Sequence, residues 1–117
     1  MTSSNPLLRY AAVMLERQGK AEKAPIWGIA SRLLNKPAGT KVEVNLGHIS
    51  RIADEGEALF VPGKVLGTGT ITKKVTVGAF AYSGAAKSKI VSAGGSALSI
   101  EEFLKKYPKG SGVKLVQ

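Results

Sequence analysis

Apolar positions recur at helical spacing through the first half of the chain and fall into short runs and alternations broken by glycine in the second. Asn5 followed by Pro6 reads as an N-cap and a first helical residue: the Asn side chain can accept from unpaired N–H groups, and Pro has no N–H to leave unpaired. Leu7, Leu8, Ala11, Met14 and Leu15 then share a face, and Gly19 is expected to stop the helix. Pro25 opens a second helix with Ile26, Ile29, Ala30, Leu33 and Leu34 on one stripe, closing before Asn35-Lys36-Pro37. Trp27 lies near that stripe, so packing is its expected role, with base stacking as the alternative.

Val42 and Val44 alternate with charged neighbours and predict a short strand, after which Asn45 is placed to cap a brief helix bearing Leu46, Ile49 and Ile52 or Ala53. Ala58 to Val61 is an apolar run that Pro62-Gly63 is expected to end, and Gly67-Thr68-Gly69 breaks the chain again. Val75, Val77, Ala79 and Ala81 alternate as a half-buried strand. Ser83 then caps a helix carrying Ala86, Ile90 and Ala93, stopped by Gly94-Gly95. Ser99 and Glu102 form a capping-box pattern before a helix from Ile100 to Tyr107 that Pro108 terminates, and Val113 to Val116 closes as a strand. The fold class is therefore α/β, a helical N-terminal part leading into a strand-rich, glycine-rich body. With no convincing linker, residues 1–117 are expected to form a single domain.

Charge changes the picture more than composition does. Seventeen Lys and Arg against eight Asp and Glu give a net +9 and a pI near 10.0, which favours a polyanionic partner. The excess is lopsided: residues 1–57 carry eight basic and six acidic side chains, whereas residues 58–117 carry nine lysines and only Glu101 and Glu102. Between Glu57 and Glu101 there is no acid at all, while Lys64, Lys73, Lys74, Lys87 and Lys89 lie in that stretch and are expected to be exposed as a single-sign surface. The absence of cysteine removes disulfides, thiolate zinc sites and thiol nucleophiles. No long apolar run occurs, and the start lacks a secretory pattern, so a soluble cytoplasmic protein is expected, with no membrane partner.

Constellations that would carry catalysis are thin. Gly63-Lys64-Val65-Leu66-Gly67-Thr68-Gly69-Thr70 invites comparison with phosphate-binding loops, yet Ala58 and Val65 stand where a P-loop needs glycine and a hydroxyl, and Thr72 stands where a dinucleotide fingerprint needs its third glycine. What remains is a flexible turn at Gly63, Gly67 and Gly69 that lets another backbone approach, with Lys64 beside it; tight turns alone would explain the same glycines. His48 is the sole histidine and, without cysteine, cannot build a usual zinc site. Ser50 and Asp54 would not converge on its ring from a short helix, so a surface or RNA-facing role outweighs catalysis. Asp54-Glu55 and Glu101-Glu102 are adjacent pairs that point apart, which does not support paired general acids. No catalytic residue, metal ligand or cofactor is expected. The segment from Ser83 to Lys89 is the better candidate: small residues at a helix start leave N–H groups open, the dipole favours an anion, and Lys87, Ser88 and Lys89 follow. Its plainer reading is a small-residue helix packed on the preceding strand. Lys73-Lys74 forms a second basic tip at an expected turn between strands.

Read as one string, Val61 to Gly69, Val75 to Ala81, then Ser83, Ala86, Ile90 and Gly94-Gly95 strongly resemble the archaeal and eukaryotic family of large-subunit ribosomal protein eighteen, related to bacterial large-subunit protein fifteen. Asn5-Pro6, the Trp27 helix and Val44-Asn45 followed by Ile49 and Arg51 agree, so the resemblance covers nearly the whole chain; the short length looks archaeal. Lys36-Pro37-Ala38 carries fewer basic residues than the pattern leads one to expect. The resemblance implies an irregular superhelix of β-β-α turns, residence in the large ribosomal subunit bound to its ribosomal RNA and beside neighbouring large-subunit proteins, and no enzymatic activity. Arg9, Arg32 and Arg51 join Lys64, Lys73, Lys74, Ser83, Lys87, Ser88 and Lys89 as expected RNA contacts. The rivals are a free-standing basic nucleic-acid-binding protein and, more remotely, a small hydrolase using His48.

Overall fold

A computed structural model describes residues 5–36 and 41–117. Pro37 and Ala38, where the sequence departs from the family pattern, lie outside the described residues. Two helices, α1 (Pro6–Glu22) and α2 (Pro25–Leu34), precede β1 (Val42–Asn45), α3 (Leu46–Ile52), β2 (Ala58–Leu66), β3 (Thr76–Tyr82), α4 (Gly84–Ser92), β4 (Ser96–Leu98), α5 (Ile100–Lys106) and β5 (Val113–Leu115).

The Asn5 side chain accepts from the Leu7 and Leu8 N–H groups at 3.0 and 3.4 Å, as its N-cap position requires. Gly19, however, does not stop α1. The helix runs three residues further and closes at Lys23, which takes a left-handed φ of 53°. Gly19 is a packing residue: a Cβ there would sit 3.1 Å from Gly28 N and Ala24 O, so the glycine lets α2 cross close by. The buried stripe of α2 is Trp27, Ala30, Ser31 and Leu34, rotated from the expected one, and it leaves Ile29 exposed. Ser31 on that stripe donates to the Ala12 carbonyl at 2.6 Å, which pins the two helices together.

The five strands form one sheet in which each observed pairing is parallel. Its order is β1-β2-β3-β4, and β5 returns to pair with β2. β3 occupies one side of β2; the other is divided between β5, opposite Ala58 to Phe60, and β1, opposite Gly63 to Leu66. Parallel strands need crossovers, and right-handed crossovers fix which face each helix covers. α3 and α4 connect strands advancing across the sheet and pack on one face with Leu59, Val61, Val65, Val77 and Ala79. α5 connects β4 back to β5, travels in the opposite sense and lies on the other face, where α1 and α2 meet Ala58 and Phe60.

Two strand expectations are corrected by this parallel arrangement. Pro62-Gly63 does not end β2, because the register with β3 shifts between Val61 and Lys64 and the proline falls in that irregularity, where its missing N–H costs no ladder bond to β3. β3 is not half-buried: Val77 and Ala79 face α3 and α4, while Gly78 lies directly under the Phe103 ring of α5. Burial of both faces is the rule for parallel sheets. Residues 67–75 are accordingly not a hairpin turn but a crossover from the end of β2 to the start of β3.

Beneath α1, α2 and α5 lies an aromatic cluster. Trp27 meets Phe60 and Phe103 edge-on at 5.3 and 6.1 Å, and Phe103 also contacts Tyr107 at 4.8 Å. Trp27 is fully buried and its indole N–H donates to the Pro108 carbonyl at 2.9 Å, so it packs rather than stacks on a base. Ser99 and Glu102 make the capping box in both directions.

Candidate nucleic-acid interface

Because the strands are parallel, their carboxyl ends share one edge: Asn45 is level with Leu66, and Val65 with Tyr82. Crevices at this edge are the usual binding places of open α/β sheets. Three segments leave it side by side: α3 after Asn45, the glycine turn after Leu66, and α4 after Ser83.

The turn is held by both helices. Thr68 O accepts from Gly47 N at 3.0 Å, and a Cβ on Gly69, whose φ is +95°, would lie 2.7 Å from the Gly47 backbone. Gly67 has no unusual backbone angle; it is glycine because a Cβ would stand 2.6 Å from the Ala85 Cβ, at the start of α4. Gly63 likewise lies hard against the Val42 carbonyl of β1. Lys89, exposed on α4, reaches back to donate to Gly67 O and Gly69 O at 2.7 and 2.9 Å. With Ser88, Thr70 and Thr72 it lines an open groove of about 560 Å³. The Arg51 guanidinium lies over Gly47, 3.7 Å from where a Cβ would be. Ser83 Oγ accepts from Ala86 N at 3.1 Å, so its hydroxyl serves first as the cap of α4, and exposed Lys87 follows in the next residue.

Lys64 is exposed near the end of β2 and points away from the Val65 face. The groove beside it also holds Asn5, Leu34 and Lys41, which brings the first turn of α1 and the last residue of α2 to the same end of the molecule. Arg9 and Arg32 are exposed on those terminal turns. The fold therefore gathers Arg9, Arg32, Arg51, Lys64, Lys87 and Lys89 around the carboxyl end of the sheet, with Glu43, the register partner of Lys64, as an acid among them.

Lys73 and Lys74 do not join this group. They precede β3 at the amino edge, together with residues 54–57. Lys73 is part-buried and donates to Ser50 O and Ala53 O at 2.8 and 2.7 Å, where it caps the carboxyl end of α3. Lys74 N donates to Glu55 Oε2 at 3.1 Å, and its carbonyl accepts from Gly56 N at 2.7 Å. Lys114 donates to Ile52 O at 2.7 Å and pairs with Glu57 at 3.2 Å. The Asp54 N–H, and after it Lys114 and Lys73, hold the Glu57 carboxyl below the usual range. The expectation of one exposed, acid-free surface is corrected at this point: the acids of 54–57 fold back onto the lysines that follow them, and one lysine is turned onto the protein's own carbonyls. Neither this role nor that of Lys41, which donates to Lys36 O at 2.9 Å, carries a local sequence signal. Nor does Gly47, the partner of Gly69, which reads in the sequence as one more small residue in a brief helix.

His48 is half-buried on α3, and no group of His, Asp and Glu among the described residues is placed to hold a metal ion. No helix among them is long and apolar enough to cross a membrane.

A family model describing the ribosomal proteins 50S-L15 and 50S-L18e together with their 60S counterpart matches residues 35–98, which span β1 to β4 and the glycine turn. Three similar proteins are each named large ribosomal subunit protein eL18. That of Archaeoglobus fulgidus is 47% identical over 117 residues, covering 99% of both chains. That of Methanococcus maripaludis is 46% identical over 114 residues, covering 97% of this chain and 95% of its own. That of Haloarcula marismortui is 40% identical over the full length of both. The chain thus belongs to the ribosomal protein family that unites 50S L15 and 50S L18e with their 60S counterpart.

Proposed function

We propose that the protein is a structural constituent of the large ribosomal subunit, binding and stabilising the large-subunit RNA with the carboxyl end of its sheet. The observation that carries this reading is the grouping of Arg9, Arg32, Arg51, Lys64, Lys87 and Lys89 at one end of a family member, while the acids of 54–57 are paired with lysines at the other. The glycine turn and the start of α4 supply backbone that RNA can approach closely, and shape rather than base sequence is the property such a surface reads. The mechanism is assembly by neutralisation: cations at one end of a rigid body hold phosphates of separate RNA segments near one another against their mutual repulsion. No chemical conversion, cofactor or metal is involved, and neighbouring large-subunit proteins complete its surroundings.

Sedimentation of ribosomal subunits from cells expressing the tagged chain tests this assignment. One copy of the chain per large subunit, retained through a high-salt wash, is the expected result. Recovery on bulk DNA or in the free fraction, with subunits devoid of it, would favour a free-standing nucleic-acid-binding protein.

A further inference from the structure

Building on the reading above, we propose that the outer face of α1 holds a single-stranded stretch of the large-subunit RNA, one base stacked on Tyr10 and neighbouring phosphates on Arg9 and Arg17. α1 buries Leu8, Ala11, Ala12 and Leu15 against the rest of the molecule. On its outer side Leu7, Tyr10 and Val13 remain exposed, Tyr10 to 65%. Exposed apolar residues scattered singly are ordinary, but these recur at helical spacing on one side of α1. Tyr10 and Val13 line an open groove of about 620 Å³ along the helix with Arg9, Met14 and Arg17, and no carboxylate among the described residues borders it. Tyr10 and Arg17 are two turns apart on one side, ~10 Å along the axis at 1.5 Å per residue, so a base on the ring leaves the guanidinium within reach of the following backbone.

Charge decides between the two kinds of occupant. An apolar protein helix would cover Leu7 and Val13 but would leave two guanidiniums without anions. A nucleotide strand satisfies the ring through a base face and the guanidiniums through phosphate, the combination that single-strand binders use. The glycine turn and α4 are not involved, so this is a second RNA contact on the opposite face of the sheet from α4.

The test is the affinity of the full chain for deproteinised large-subunit RNA, measured beside its incorporation into subunits. Tyr10→Phe, which keeps the ring, should bind within about twofold of the native protein, and Tyr10→Leu, which keeps apolar bulk but no ring, should lose roughly tenfold. Arg17→Gln should lower the salt slope by ~0.7. Because both side chains are exposed, circular dichroism should show the variants folded. Native affinity for Tyr10→Leu overturns the proposal whatever Arg17→Gln does. If Tyr10→Leu binds RNA normally yet enters subunits poorly, the occupant is a protein and the proposal is equally overturned. A native chain that binds no large-subunit RNA would instead refute the functional reading itself.

Discussion

A chain carrying Arg51→Gln, Lys64→Gln and Lys87→Gln is expected to bind large-subunit RNA several tens of times more weakly than the native protein at about 150 mM salt, while unfolding at nearly the same temperature. All three residues are exposed at the carboxyl end of the sheet, and among the described residues no hydrogen bond to the protein holds their charged groups. Each lost phosphate contact removes ~0.7 from the slope of log affinity against log salt, so the slope should fall by about 2. Lys73→Gln is the informative contrast. Its ammonium satisfies Ser50 O and Ala53 O, so this change should cost roughly 1–2 kcal/mol of stability and leave the salt slope of the folded protein unaltered. Isothermal titration over a salt series, beside thermal unfolding, reads both quantities. A triple variant with the native slope, or a Lys73→Gln chain that loses slope but no stability, would reverse the assignment of these cations.

The second large effect concerns the aromatic cluster. Trp27→Ala should lower stability by ~4 kcal/mol, the cost of emptying a large buried aromatic site. For a chain of this size that corresponds to a fall of about 15 °C in Tm. Pro108 O would keep the Gln18 amide as a donor at 3.0 Å, so the loss reflects the cavity rather than an orphaned carbonyl. Since Trp27 is fully buried, RNA affinity measured well below the transition should be unchanged. Weakened binding by a fully folded Trp27→Ala chain would revive a base-stacking role.

Much of the local structure was legible in the residues. Asn5-Pro6, Ser83 and Ser99 with Glu102 mark helix starts where the fold has them, because capping is a contact between residues two or three apart. What misled were residues whose reason lies far along the chain. Gly19 reads as a stop but makes room for α2, and Gly67 reads as a strained turn but makes room for α4. Pro62 reads as a strand end, yet the shifted register around it carries β2 onward. The candidate site was legible in the same uneven way. Lys64, Lys87 and Arg51 were found from charge and from the glycine motif. The pairing of Glu55 and Glu57 with Lys74 and Lys114, and the capture of Lys73 by α3, depend on a parallel crossover that no local spacing announces. A run of lysines without acids is therefore a statement about the chain, and only the fold decides which of them face a partner.

The central claim is that one end of this sheet faces RNA and the other is closed by its own ion pairs. Ultraviolet crosslinking of intact large subunits, with adducts mapped residue by residue, tests it most directly. Adducts concentrated between Lys64 and Thr70 and over the first turns of α4, with none on residues 54–57 or Lys73, are the expected result. Adducts concentrated at Lys73, Lys74 and Lys114, with the glycine turn unmodified, would contradict it.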